Sequence, residues 1–142
     1  GFDLNIWRSD PQAMNALVKE GAYLIIRMLS FPLPIVAACT GHAFPMGAFL
    51  LLASDFRIGI NGKFKLGLNE VAIGMTVPLF AIELARSRMA PSYFSRTVKT
   101  AEMFSPKDSV HAGILDHIIG EGDLLAEAKI TWSNSKPLIS LP

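Results

Sequence analysis

Apolar positions along the first part of the chain follow a helical period. Met14, Leu17, Val18, Leu24, Ile25 and Met28 share one predicted helix face, so that face is expected to be buried. Asp10-Pro11 supplies a capping side chain and a proline suited to the first turn, and Phe31-Pro32-Leu33-Pro34 ends the helix. The pattern then changes. Ile35-Val36-Ala37-Ala38-Cys39 is a short apolar, partly β-branched run that predicts a buried strand. A Gly- and Pro-containing turn from Thr40 to Gly47 leads into Ala48–Ala53, which reads as a buried helix. Asp55–Ile60 predicts a strand, Asn61-Gly62 a turn, and Lys63–Leu66 another short strand. Pro78–Arg88 and Ser92–Thr100 read as helices. Ser105-Pro106-Lys107-Asp108 is a capping box with Gly113 as the stop. Ile114–Ile119 predicts a late strand, and Asp123 caps a last helix to about Ser135. The order is βαβ-like, without an internal repeat or linker, and residues 1–142 read as one α/β domain.

Composition sharpens this picture. Half of the 142 residues (51%) are hydrophobic and 18% are charged, more apolar material than a small monomer hides easily. Burial against other subunits or further chain is expected. A formal charge of +1, with no Lys/Arg cluster interleaved with aromatics, gives no basis for a nucleic-acid partner. No charged residue lies between Arg27 and Asp55, yet Pro32, Pro34, Gly41, Pro45 and Gly47 interrupt that run, so no membrane span is expected. The opening Gly1-Phe2-Asp3 reads as neither a signal peptide nor a natural start. The single cysteine, Cys39, excludes an internal disulfide framework and fits a reducing compartment. A cytoplasmic location is expected, with mitochondria or peroxisomes left open. Cys39 and His42 have a metal-like spacing, but no second pair completes a site, so no metal is expected. His42, His111 and His117 have no evident partner and read as structural or surface residues.

Two features carry candidate chemistry. Glu70 sits among apolar residues just after Gly67-Leu68-Asn69. It is either a solvated loop charge or a partly desolvated base, whose pKa burial would raise toward the range useful for moving protons. The strand–turn–helix at Cys39–Met46 leaves free N–H groups at a helix start, which suit an oxyanion. Gly41 is read as permitting the tight turn and Gly47 as permitting close approach of backbone or ligand, although ordinary turn chemistry would use the same residues.

Pro34-Ile35-Val36-Ala37-Ala38-Cys39-Thr40-Gly41-His42-Ala43, then Gly47, then Ala53-Ser54-Asp55-Phe56-Arg57-Ile58, resembles the central signature of the crotonase (enoyl-CoA hydratase/isomerase) superfamily. Phe104–Asp108 and Gly113–Asp116 resemble its later sequence, and Gly1-Phe2-Asp3-Leu4 the end of its Gly-Ala-Asp-Leu motif. The resemblance covers nearly the whole chain. It implies a ClpP/crotonase ββα-type core, with a twisted sheet and surrounding helices, incomplete at both termini. It also implies an acyl-CoA thioester substrate, with coenzyme A as part of the substrate and no separate cofactor. The family's two oxyanion-hole N–H donors fall on Phe2 and Met46. Pro45, Gly47, Gly41 and Phe49 fall around the turn and acyl pocket, and Asp3 and Leu4 near the coenzyme A. Pro45 has no N–H, and Met46 brings a side chain where members often have none.

Hydratases of the family use two glutamates. Here the first position is Phe49 and the second Glu70. Adding water is most readily shared by two carboxylates, whereas moving a double bond needs one base, which takes a proton at C2 and returns it at C4. The resemblance therefore implies an enoyl-CoA isomerase, and Gly67-Leu68-Asn69-Glu70 followed by Ile73-Gly74 and Pro78 is similar to such isomerases. An enoyl-CoA hydratase and a non-catalytic acyl-CoA-binding or assembly subunit are the alternatives. A homo-oligomer, trimer or hexamer, is implied, with Leu68–Met75 and the helix after Pro78 near an interface.

Overall fold

A computed structural model describes residues 2–3, 5–6, 10–120 and 122–135. Helix α1 (Pro11–Leu29) is capped as its sequence predicts. Asp10 Oδ1 accepts from the N–H groups of Gln12 and Ala13 at 2.9 and 3.1 Å. Met14 and Ile25 of its predicted apolar face are buried and Leu17, Val18 and Met28 half-buried, whereas Leu24 is exposed beside Tyr23.

Strands β1 (Val36–Cys39), β2 (Phe56–Ile60) and β5 (His117–Ile119) form a parallel sheet in the order β1-β2-β5. Val36 pairs with Phe56, Ala38 with Ile58, and Ile58 with His117. The strand expected at 35–39 is thus present but is not fully buried. It lies at the sheet edge, and only Cys39 is shielded. The late strand is shorter than predicted, because Ile114 and Leu115 turn into the core as loop residues. Asp116 instead binds Arg57 of β2. Its Oδ2 accepts from Arg57 N–H at 2.7 Å and from Nε at 3.0 Å, while Nη1 donates to Gly113 O at 2.7 Å. This buried guanidinium fixes the start of β5 against β2 through charge-assisted hydrogen bonds.

Helix α2 (Met46–Leu52) starts slightly earlier than expected and runs through the core, with Ala48, Phe49, Leu51 and Leu52 buried. Of the predicted 63–66 strand only Leu66 is extended, and with Gly67 it forms β3. They pair antiparallel with β4 (Met103–Phe104) in a second, two-stranded sheet. Lys63 and Lys65 are solvated, which limits regular pairing to the buried end. A 3-10 turn at Val71–Ile73 follows, then α3 (Leu79–Arg88) and α4 (Pro91–Thr100). Helix α5 (Pro106–Ala112) is capped by Ser105, whose Oγ accepts from Asp108 N–H and donates to Asp108 Oδ2 at 2.6 Å. It ends at Gly113, at φ +78, where a left-handed stop is expected. Helix α6 (Leu124–Ser135) begins on Asp123, whose Oδ1 accepts from Leu125 and Ala126 N–H, and packs on β1 and β2. The main core joins α2, β3, α3 and the loop at Ile114–Leu115; Ile58, Leu124 and Ala128 form a smaller one. No helix among the described residues is long and apolar enough to cross a membrane.

Candidate active site

Strand β3 delivers the chain to Glu70. Gly67 has φ +150, and a Cβ there would lie 3.0 Å from Glu102 O, so the bend that turns Leu68-Asn69-Glu70 inward requires glycine. Glu70 then opens the 3-10 turn. Its carbonyl accepts from Ile73 N–H at 3.0 Å and from Met75 N–H at 2.9 Å, which fixes its backbone. Its side chain is treated quite differently. Glu70 is 2% exposed, and neither carboxylate oxygen has a hydrogen-bond partner among the described residues. Burial pushes its pKa above the usual carboxylate value. Its own N–H lies near enough to offset this slightly, without satisfying either oxygen. The Oδ1 of Asn69 next to it is also buried without a partner. Of the two sequence readings of Glu70, the structure thus excludes the solvated loop charge.

The carboxylate lines a narrow cavity of about 20 Å³, walled by Phe2, Met14, Val18, Pro45, Ile73, Met75 and Pro78. Glu70 is the one ionisable side chain in that lining. A wider groove of about 410 Å³ lies on the other side of Phe2, bordered by Asp3, Ile6, Leu17, Glu20, Gly21, Leu24 and Met46. Phe2 belongs to both spaces, while Pro45 and Met46, adjacent in sequence, face one each. The structure therefore brings Phe2, Asp3, Pro45, Met46 and Glu70 together. Leu4 lies outside the described residues. Met46 opens α2 with no side-chain cap, and the first N–H groups of a helix have no carbonyl acceptor within it.

Other predicted site residues lie elsewhere. Phe49 is fully buried and packs edge-on against Phe80, with ring centroids 5.6 Å apart, rather than lining the Glu70 cavity. Neither glycine is demanded by the turn. A Cβ at Gly41 would meet nothing within 4 Å, and one at Gly47 would make ordinary contact with Ala43 Cβ at 3.4 Å. The close approach read at Gly47 occurs instead at Gly21 of α1. A Cβ there would lie 2.9 Å from the Phe2 ring and 3.3 Å from Met46 Sδ. A glycine inside a helical pattern was the available signal for such packing. Cys39 is buried, and burial raises its thiol pKa despite a contact to Gly41 O.

Comparison with known proteins places this geometry. The family model described as enoyl-CoA hydratase/isomerase matches residues 1–135. The chain is 28% identical over 131 residues to enoyl-CoA delta isomerase 1, peroxisomal, of Arabidopsis thaliana, covering 92% of this chain and 55% of that protein. It matches the crystal structure of an enoyl-CoA hydratase/isomerase family protein from Pseudomonas syringae with a TM-score of 0.93 and 46% identity, over 97% of this chain and 60% of that one. An enoyl-CoA hydratase from Mycobacterium marinum matches with a TM-score of 0.87 and 36% identity, over 97% and 60%. The chain spans about half the length of the curated relatives it matches. With a mixed α/β core of the same fold as these structures, the chain belongs to the enoyl-CoA hydratase/isomerase family, within the crotonase superfamily.

Proposed function

We propose that this chain carries the site of an enoyl-CoA isomerase, with Glu70 as the proton shuttle. The observation that carries the reading is a buried carboxylate that, among the described residues, has no hydrogen-bond partner and is the one ionisable group in an otherwise apolar cavity lining. A base so desolvated binds a proton more tightly than a solvated one, which suits removal of a proton from carbon. In the reaction, Glu70 takes a proton from C2 of a 3-enoyl thioester. The negative charge moves to the thioester oxygen, where the N–H groups of Phe2 and Met46 stabilise the enolate. Glu70 then returns the proton to C4, and the double bond becomes 2,3. No second carboxylate is needed, and the position of the first hydratase glutamate is the core residue Phe49.

Glu70's cavity has room for about one water molecule. An acyl chain enters it only as Met14, Ile73 or Met75 moves aside, and these flexible or loop-borne side chains suit that role. A soluble acyl-CoA thioester is the substrate, and a homo-oligomer is the expected assembly.

The test is isomerisation of a 3-enoyl-CoA by the parent and by Glu70→Gln. We expect a loss of at least about 10²-fold, the usual range for a removed general base. Activity within about tenfold of the parent would count against the assignment. Similarity to a mycobacterial hydratase favours a second reading, hydration of a 2-enoyl-CoA. The two are compared in one preparation, and hydration exceeding isomerisation tenfold would reverse the order.

A further inference from the structure

Glu70 and Met46 come from different elements, so something must hold the base in register with the donor. The structure contains such a link. The loop at His42–Ala43 lies beside Lys65–Gly67, with Ala43 and Leu66 in a parallel bridge. Ala43 N–H donates to Lys65 O at 3.2 Å, and Gly67 N–H donates to Ala43 O at 3.1 Å. A further bond comes from a side chain: Lys65 N–H donates to His42 Nδ1 at 3.1 Å. His42, expected from sequence to have no partner, therefore does have one. Met46 follows Ala43, and Glu70 follows Gly67, by the same number of residues. The clamp thus lies at equal distance along the chain from both groups.

The two backbone bonds both attach the loop at Ala43. The His42 bond attaches the loop at a second point. The imidazole also holds the residue on the other side of Ala43, since its ring meets Phe44 edge-on at 5.5 Å and Phe64 at 6.3 Å. We infer that His42 is a positioning residue, whose Nδ1 lone pair holds the Met46 N–H in register with the Glu70 carboxylate. The bond requires the neutral ring with its proton on Nε2, because Nδ1 acts as acceptor. His42 touches neither the cavity nor the groove, so its action is through the loop.

This inference rests on the isomerase reading, and the experiment separates the two. His42→Asn keeps an acceptor close to the position of Nδ1. His42→Gln places its carbonyl one bond too far, and His42→Phe keeps a ring without an acceptor. With a 3-enoyl-CoA substrate, Phe and Gln should lower kcat about tenfold, as expected when reacting groups are misplaced by a fraction of an ångström. KM should stay within about twofold, because the substrate's remote contacts are untouched. Asn should keep kcat within about threefold of the parent. If His42→Phe fails to fold, the Asn and Gln pair carries the comparison. Equal losses in all variants would overturn the inference, and so would none. A parent without turnover would overturn the isomerase reading and this inference with it. A parent that turns over and depends on Glu70, while the His42 variants match it, would overturn this inference alone.

Discussion

Glu70 is a buried carboxylate with no hydrogen-bond donor among the described residues, and a group of that kind destabilises the fold whenever it is ionised. Its folded pKa is raised above its ordinary value of 4.5, and burial is the main cause. The folded state therefore holds this proton more tightly than the unfolded chain does. Stability is unaffected by this group below the unfolded pKa, falls as pH rises from there through the folded pKa, and stays reduced above it. Glu70→Gln removes the ionisation. The variant should melt higher than the parent at neutral and alkaline pH, and the difference should shrink toward zero near pH 4. Thermal melts of both proteins across that range check this. A variant less stable at pH 8 would show that the carboxylate has a partner in solution. The expected opposition of gained stability and lost turnover is the usual signature of a functional group held in an unfavourable setting. Glu70 itself was legible as a candidate, because one carboxylate among Leu68, Val71, Ile73 and Met75 is unusual. Its burial was not legible, since solvent exposure depends on walls from Phe2, Met14 and Val18, far away in sequence.

At the scale of elements, the capping signals were the most readable. Asp10, Ser105 and Asp123 each bind backbone N–H groups where the sequence places a helix start. Caps are local, so they do not depend on the remaining fold. Strand burial was less readable, because the apolar run at 35–39 looks the same in a sheet centre or at an edge. The packing of α1 against the site was missed as well, for Gly21 looks like a mere weak point in a helix. Its absent side chain is where the Phe2 ring and the Met46 thioether meet the helix. Gly21→Ala separates the two meanings. Helix propensity alone would stabilise α1 by about 1 kcal/mol. The new methyl group would displace the Phe2 ring, whose atoms lie 2.9 Å from it, and with it the Phe2 N–H. We expect a melting temperature close to the parent's, together with a loss of about tenfold or more in kcat for 3-enoyl-CoA isomerisation. Unchanged kcat would show that α1 does not set the position of that donor.

For the whole molecule, the question is what covers the apolar surface. Leu79, the first residue of α3, is 74% exposed, and Val71 in the 3-10 turn is 43% exposed. Both fall in the stretch expected to lie near a subunit contact. A second zone on α1 and the turn after it exposes Tyr23, Ile26, Leu29 and Phe31, each at least half accessible. Isolated apolar residues are ordinary on a protein surface, but grouped large ones mark contact sites. The Leu79 zone also adjoins the site, because Ile73, Met75 and Pro78 wall the Glu70 cavity while Val71 and Leu79 flank them outside. Association through that zone would hold the Ile73–Pro78 wall of the proposed acyl-CoA site in place around Glu70, coupling assembly to turnover. Sedimentation at micromolar concentration should therefore give a trimer or larger species. Leu79→Lys should shift it toward smaller species, since a solvated ammonium is costly to bury in an apolar contact. The same variant should lose activity in proportion to the assembly lost. A parent that sediments as a monomer would refute the assembly. A Leu79→Lys protein that still assembles would move the contact to the α1 zone, where Ile26→Lys is the corresponding test.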